Sequence, residues 1–307
     1  MKAVHSLKSD KFKPFLESIG GAEVIKPAVQ IMALSACTIR KHFDDFVLIT
    51  DDTGKKLAED CQLPYTEIIS VGDRFESDAC FWIHSKIHAY HTIKEPFVHF
   101  DTDLFLWDAL PKEFLEQEVF AFHPETVLWT KYENYRDNII NSGVNLPRID
   151  RTYWTSRMPV NMAIFGGTNF KAINQYAGFV LEFLADNNGF IDAPDAHKKA
   201  IDNNIAFIEQ AWVSYLIQDS MRIPIETLLT ERQVLQDTQI PNVKLTHLHG
   251  AKQKAMENNT VPELMRRLST KLKEVNEDVY TSVNKMCAPF TDIDSLLIES
   301  TIEQAKL

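Results

Sequence analysis

The chain has 307 residues, 45% hydrophobic and 24% charged, with 32 Lys+Arg against 43 Asp+Glu and a net charge of −11. That length suits one large α/β domain or two small ones, and the acidic balance, with no concentrated basic surface, excludes nucleic acid as an expected partner. No stretch approaches the 18 or so apolar residues of a membrane span, the start MKAVHSLKSDKF lacks an apolar run of signal-peptide length, and Cys37, Cys61, Cys80 and Cys287 show neither a CxxC nor a regular spacing, so the expectation is a cytoplasmic protein with reduced thiols.

In chain order, MKAVHS reads as a short first strand. Residues 22–40 place Ile25, Val29, Met32, Ala33 and Ala36 at helical spacing. FVLIT (46–50) is an apolar run that stops at the turn signal DDTG, Lys55–Cys61 reads as a helix, and TEIISV (66–71) as a strand. Residues 78–92, DACFWIHSKIHAYHT, read as a helix that runs into the strand of KEPFVHFDTD. This alternation predicts a mostly parallel sheet with helices on its faces. Beyond Asp103 the periodicity loosens. VFAF (119–122) is a strand, residues 123–158 an irregular aromatic and polar insertion, and VNMAIFGGTN (160–169) a strand broken by two glycines. Helices follow near 169–186 and 199–219, then a last strand VKLTHLHG (243–250), then a charged helical tail from about residue 260.

Five features could carry chemistry. Asp101 and Asp103 end a buried strand at the sheet's expected carboxyl edge, where ligands bind in open α/β sheets. Two carboxylates there suit a hard cation such as Mg²⁺ or Mn²⁺, or else form a solvated strand-end turn. In THLHGAKQK, His247 and His249 face one side of a strand and are followed by Gly250 and Lys252, which suits a third metal ligand and a phosphate-facing ammonium, or a turn with incidental histidines. Asn161 with Gly166 and Gly167 could line a site above a strand end. Glu209 and Gln210 lie on a helix whose other face is apolar, and Lys86 on the helix before the Asp-x-Asp strand.

The order of these features resembles the GT-A-fold nucleotide-sugar glycosyltransferases, glycogenin and the bacterial lipopolysaccharide galactosyltransferases above all. HSKIHAYHTIKEPFVHFDTDLFLW is similar to the stretch in which a T-K-L-H-x-W helix precedes an F-x-D-A-D strand, and HLHGAKQK resembles that group's H-x-x-G-x-x-K-P-W element, with its lysine one residue early and the P-W absent. The resemblance implies a GT-A (Rossmann-like) domain over residues 1–255 and a helical extension over 256–307. It implies Mn²⁺ or Mg²⁺ held by Asp101, Asp103 and His247, with His249 as the alternative. Ser6, Lys86, Asp101, Thr102, Gly166, Gly167 and Lys252 (Lys254 in its stead) would bind the donor, with Asn161, Glu209 and Gln210 at the sugar. The implied activity is transfer of a sugar from a nucleotide diphosphate, UDP-linked by expectation and with retention, to a carbohydrate or other hydroxyl acceptor. Residues 123–158, with Trp129, Tyr132, Tyr135 and Trp154, are the expected acceptor segment. Two other readings start from the same residues: a non-catalytic sugar-nucleotide-binding protein, and a phosphatase of the haloacid dehalogenase type. The latter resemblance puts Asp-x-Asp on the domain's first strand, whereas here about three strands precede it.

Overall fold

Apolar runs bounded by turn formers build the sheet. β1 (Lys2–Leu7) is buried from Ala3 onward, and β2 (Phe46–Thr50) and β4 (Phe97–Phe100) throughout. Strands covered on both faces read in this way, as continuous apolar runs rather than alternating ones. The computed structural model describes residues 1–9, 22–72, 83–125, 129–141, 158–186, 205–235, 244–248 and 261–287. With β3 (Glu67–Ser70), β6 (Phe120–Pro124), β7 (Val160–Gly167) and β8 (Glu226–Thr227), these strands form one seven-stranded sheet in the order β3-β2-β1-β4-β7-β6-β8. The β3-β2-β1-β4 half is parallel. β7 runs antiparallel to both β4 and β6, and β8 pairs parallel with β6. The expected mostly parallel α/β sheet is therefore present, in mixed form.

The connections explain where a ligand can sit. α1 (Ala22–Arg40) leads from β1 to β2, and α2 (Asp52–Asp60) from β2 to β3. Asp51 closes β2 and caps α2, its carboxylate accepting from Gly54 N at 2.7 Å. The chain then returns through α3 (His84–Thr92) to place β4 on the other side of β1. The order reverses between β1 and β4, so the crevice outside their carboxyl ends is the topological switch point at which such sheets bind ligands.

Helices cover both faces. α3, α6 (Phe170–Asp186) and two segments of π-helical winding, Phe207–Ala211 and Ser214–Ser220, bury one face through Ile87, Tyr90, Phe165, Tyr176 and Trp212. On the other face α1 packs with the C-terminal helix α8 (Val261–Val275; α4 is Lys112–Leu115, α5 Trp129–Asn141 and α7 Glu231–Leu235). Leu268, Leu272 and Val283 join Val29, Met32 and Leu48 there. The described part of the tail is helical, with α8 followed by a second helical run over 277–287.

The structure corrects three readings. Residues 123–158 are not wholly irregular, because 129–141 form α5; its mixed polar and aromatic face gives a weak helical period. Two short strands were missed: β8, and β5 (Leu104–Leu106), which pairs with β9 (Leu245–His247) in a separate two-stranded sheet. Strands of two or three residues are too brief for a period-two signal. Among the described residues, no helix is long and apolar enough to cross a membrane.

Candidate metal centre

The Asp-Thr-Asp sequence forms a turn, and the turn is the site. Asp101 N donates to Ala163 O at 2.9 Å, so β4 stays paired with β7 to its last residue. Leu104 N then donates to Asp101 O at 3.0 Å, closing a four-residue turn with aspartate at its favoured first position. β5 leaves the turn and is anchored on α1, where Ser35 Oγ donates to Leu104 O at 2.6 Å and Thr38 Oγ1 accepts from Leu106 N at 3.2 Å. Antiparallel pairing sets His247 of β9 opposite Leu104, and Leu248 N donates to Asp103 O at 3.1 Å. His247 Nε2 consequently stands 3.5 Å from Asp103 Oδ1.

One donor atom each from Asp101, Asp103 and His247 lie within 4.8 Å of one another, and all three residues are partly exposed. Donors bound to one ion at about 2.1 Å stand roughly 3 to 4 Å apart, so side-chain rotation is enough to close the set. Two carboxylates and an imidazole fit a divalent ion that accepts oxygen ligands and one nitrogen. Among the described residues it is the one such group of three.

Behind Asp101 lies a buried charge cluster. Lys86, on α3, is 5% exposed. Its Nζ stands 2.8 Å from Asp101 Oδ1 and 2.5 Å from Glu209 Oε1, and donates to Met162 O at 3.4 Å. Burial alone would lower the Lys86 pKa, but the facing charges of Asp101 and Glu209 outweigh it and raise it well above 10.5. The lysine is a fixed cation linking the site to the π-helical segment. Glu209 is fully buried, and its backbone carbonyl accepts from Tyr176 Oη at 2.8 Å.

A second polar group adjoins the first. Asn161, at the start of β7, donates from Nδ2 to Glu125 Oε1 at 2.8 Å and accepts from Ala163 N at 3.0 Å. The Tyr132 hydroxyl on α5 donates to Gln210 Oε1. Burial, then the nearby carboxylates of Glu125 and Glu209, push the Tyr132 pKa upward, so the phenol stays protonated. Tyr132 is thus a buried hydrogen-bond donor and not an exposed stacking platform, while Tyr135 packs partly buried against the same core. Glu125 was missed by the sequence reasoning. It follows His123 and Pro124 in a segment with no clean period, so no local pattern marks it.

The remaining expected residues divide. Ser6, near the end of β1, is hydrogen-bonded to His99 at 2.9 Å within the switch-point strands, and Thr102 sits in the Asp-Thr-Asp turn. Gly166 and Gly167 do not belong to this site. β7 is antiparallel, so they pair with Val98 and Phe97 at the start of β4, roughly 10 to 13 Å along the strand from Asp101. Their lack of a side chain has a packing reason: an added Cβ would lie 2.1 Å from Phe97 O at Gly166 and 2.0 Å from Glu118 O at Gly167. His249, Gly250, Lys252, Lys254 and Trp154 lie outside the described residues, as does the side chain of Trp129.

No curated protein matches the chain. Residues 1–284 match a family model described as a family of unknown function, DUF6734, and the chain belongs to that family.

Proposed function

We propose that this chain is a metal-dependent glycosyltransferase on a GT-A-type domain, using a nucleotide-diphosphate sugar, UDP-linked by preference, and a hydroxyl acceptor. The observation that supports it is the convergence of Asp101, Asp103 and His247 at the carboxyl edge of the β1/β4 switch point, from chain positions 144 residues apart at Asp103 and His247. Asp101, Asp103 and His247 would hold Mn²⁺ or Mg²⁺, which when bound supplies Lewis-acid stabilisation to a departing diphosphate. Lys86 holds Asp101 in place and adds a fixed positive charge beside it. Asn161 and Gln210, held by Glu125 and Tyr132, would line the sugar side of the site, with the buried Glu209 fixing Lys86 behind them. Retention of configuration is part of the reading through the resemblance to retaining enzymes.

Calorimetry of UDP binding in the presence of Mn²⁺ tests this reading. Asp103→Asn is expected to weaken binding at least about tenfold, equivalent to about 1.4 kcal/mol. Equal affinity in both proteins overturns the metal assignment. A screen of UDP- and GDP-sugars for metal-dependent nucleotide release then identifies the donor, and absence of release with every donor, despite tight UDP binding, favours the non-catalytic reading.

A further inference from the structure

α3 carries two histidines one helical turn apart, His84 and His88. Their Nε2 atoms stand 3.1 Å apart, with ring centroids 4.4 Å apart and planes crossed at 76°. Residues at i and i+4 share one helix face, the spacing with which paired helical histidines chelate zinc. Two nitrogens bound to one ion at about 2.0–2.1 Å, at an angle between square and tetrahedral, lie roughly 2.9–3.3 Å apart. The observed separation falls in that range without rearrangement. Lys86, between them in sequence, points elsewhere, to Asp101 and Glu209. The pair is therefore separate from the acid-histidine centre.

We propose that His84 and His88 form a second metal site, a two-imidazole clamp for a borderline transition-metal ion such as Zn²⁺, Ni²⁺ or Cu²⁺. Imidazole pairs favour these ions, whereas carboxylate-rich sets suit Mg²⁺ and Mn²⁺. The chain then sorts metals between two sites by ligand chemistry. Burial, then His88, then Lys8 hold the His84 pKa down to about 3, so its ring is neutral and able to coordinate at neutral pH. In the contact between the two Nε2 atoms one nitrogen donates a proton to the other. Coordination by both moves that proton to Nδ1 of the same ring, so neutral imidazoles bind with no net proton loss. The charge of Lys8 near His84 weakens every divalent ion alike, and the imidazole ligands set the preference for the strong end of the affinity order over Mn²⁺.

The test uses tag-free chain carrying Asp103→Asn, so that the acid-histidine centre is disabled and failure of that assignment does not affect the result. Calorimetric titration with Ni²⁺ is expected to show one site, weakened at least about tenfold by adding His88→Gln, since losing even a group that only supports a ligand costs about that much. Electron paramagnetic resonance of the Asp103→Asn chain with one equivalent of Cu²⁺ is expected to show two equatorial imidazole nitrogens. Unchanged Ni²⁺ affinity in folded His88→Gln overturns the proposal. So does a Cu²⁺ spectrum without coupling to two nitrogens, which decides the matter alone if near-ultraviolet circular dichroism shows that His88→Gln does not fold.

Discussion

Lys86→Met isolates the buried charge cluster. The substitution keeps the aliphatic stem and removes an ammonium that serves two carboxylates of very different exposure. Asp101 has a side chain 27% exposed, so water can replace the ammonium there, and that half of the loss is small. Glu209 is 0% exposed and would lose its 2.5 Å cationic partner inside the core. Breaking a buried pair from one side costs about 3–5 kcal/mol, against a total stability of about 5–15 kcal/mol. Urea unfolding should therefore show a midpoint lowered by about a fifth or more, with an unchanged slope. Adding Glu209→Gln removes the stranded charge, so Lys86→Met/Glu209→Gln is expected to be more stable than Lys86→Met alone. A Lys86→Met cost below about 1 kcal/mol, or a double variant no better than the single, would refute the argument that Glu209 is the group the lysine compensates.

Acid should weaken the fold through two histidines. Burial pushes the His5 pKa down to about 3, and His84 is held equally low. Between about pH 6.5 and 3 the unfolded chain takes up protons that the folded chain refuses, so this stability is complete above 6.5 and lost as pH falls. From pH 7 to 5 the loss is about 2 kcal/mol per histidine, and His84→Gln should remove its share of the difference between melts at the two pH values. Gly166→Ala drives a methyl into Phe97 O and should cost at least about 1–3 kcal/mol or abolish soluble expression. Any folded fraction should still bind Mn²⁺ as tightly as wild type, because the glycine lies at the other end of the strand. Asn161→Leu takes from Glu125 its 2.8 Å donor in a buried setting, a loss of about 1–3 kcal/mol by thermal or urea melt. Ser35→Ala frees Leu104 O from α1 and should lower Mn²⁺ affinity more than it lowers the melting temperature, since β5 positions the Asp-Thr-Asp turn proposed to hold the ion.

How much of this could be read in advance varies element by element. FVLIT and PFVHF are apolar enough to be recognised as strands buried on both faces, and the alternation with helices fixes a parallel sheet and the edge at which Asp101 must emerge. Pairing partners are another matter. Gly166 and Gly167 were assigned to the site because they follow Asn161 on one strand. An antiparallel β7 sends the two ends of that strand to opposite edges, and nothing in VNMAIFGG states strand direction. Glu125 and Tyr132 lie in a segment with no clean period, and only tertiary packing brings Glu125 to Asn161 and Tyr132 to Gln210.

The aspartates themselves show the division most clearly. Local chemistry determined that Asp-Thr-Asp ends a core strand, because buried carboxylates need partners and aspartate opens turns. Which partners they obtain was decided by tertiary structure. Lys86 reaches Asp101 because α3 crosses back over the sheet, and His247 reaches Asp103 because β9, 144 residues later, pairs with a three-residue strand too short to announce itself. Hydrophobic periodicity encodes which face of an element is buried, whereas contacts between distant elements depend on strand order and direction, which no local pattern carries.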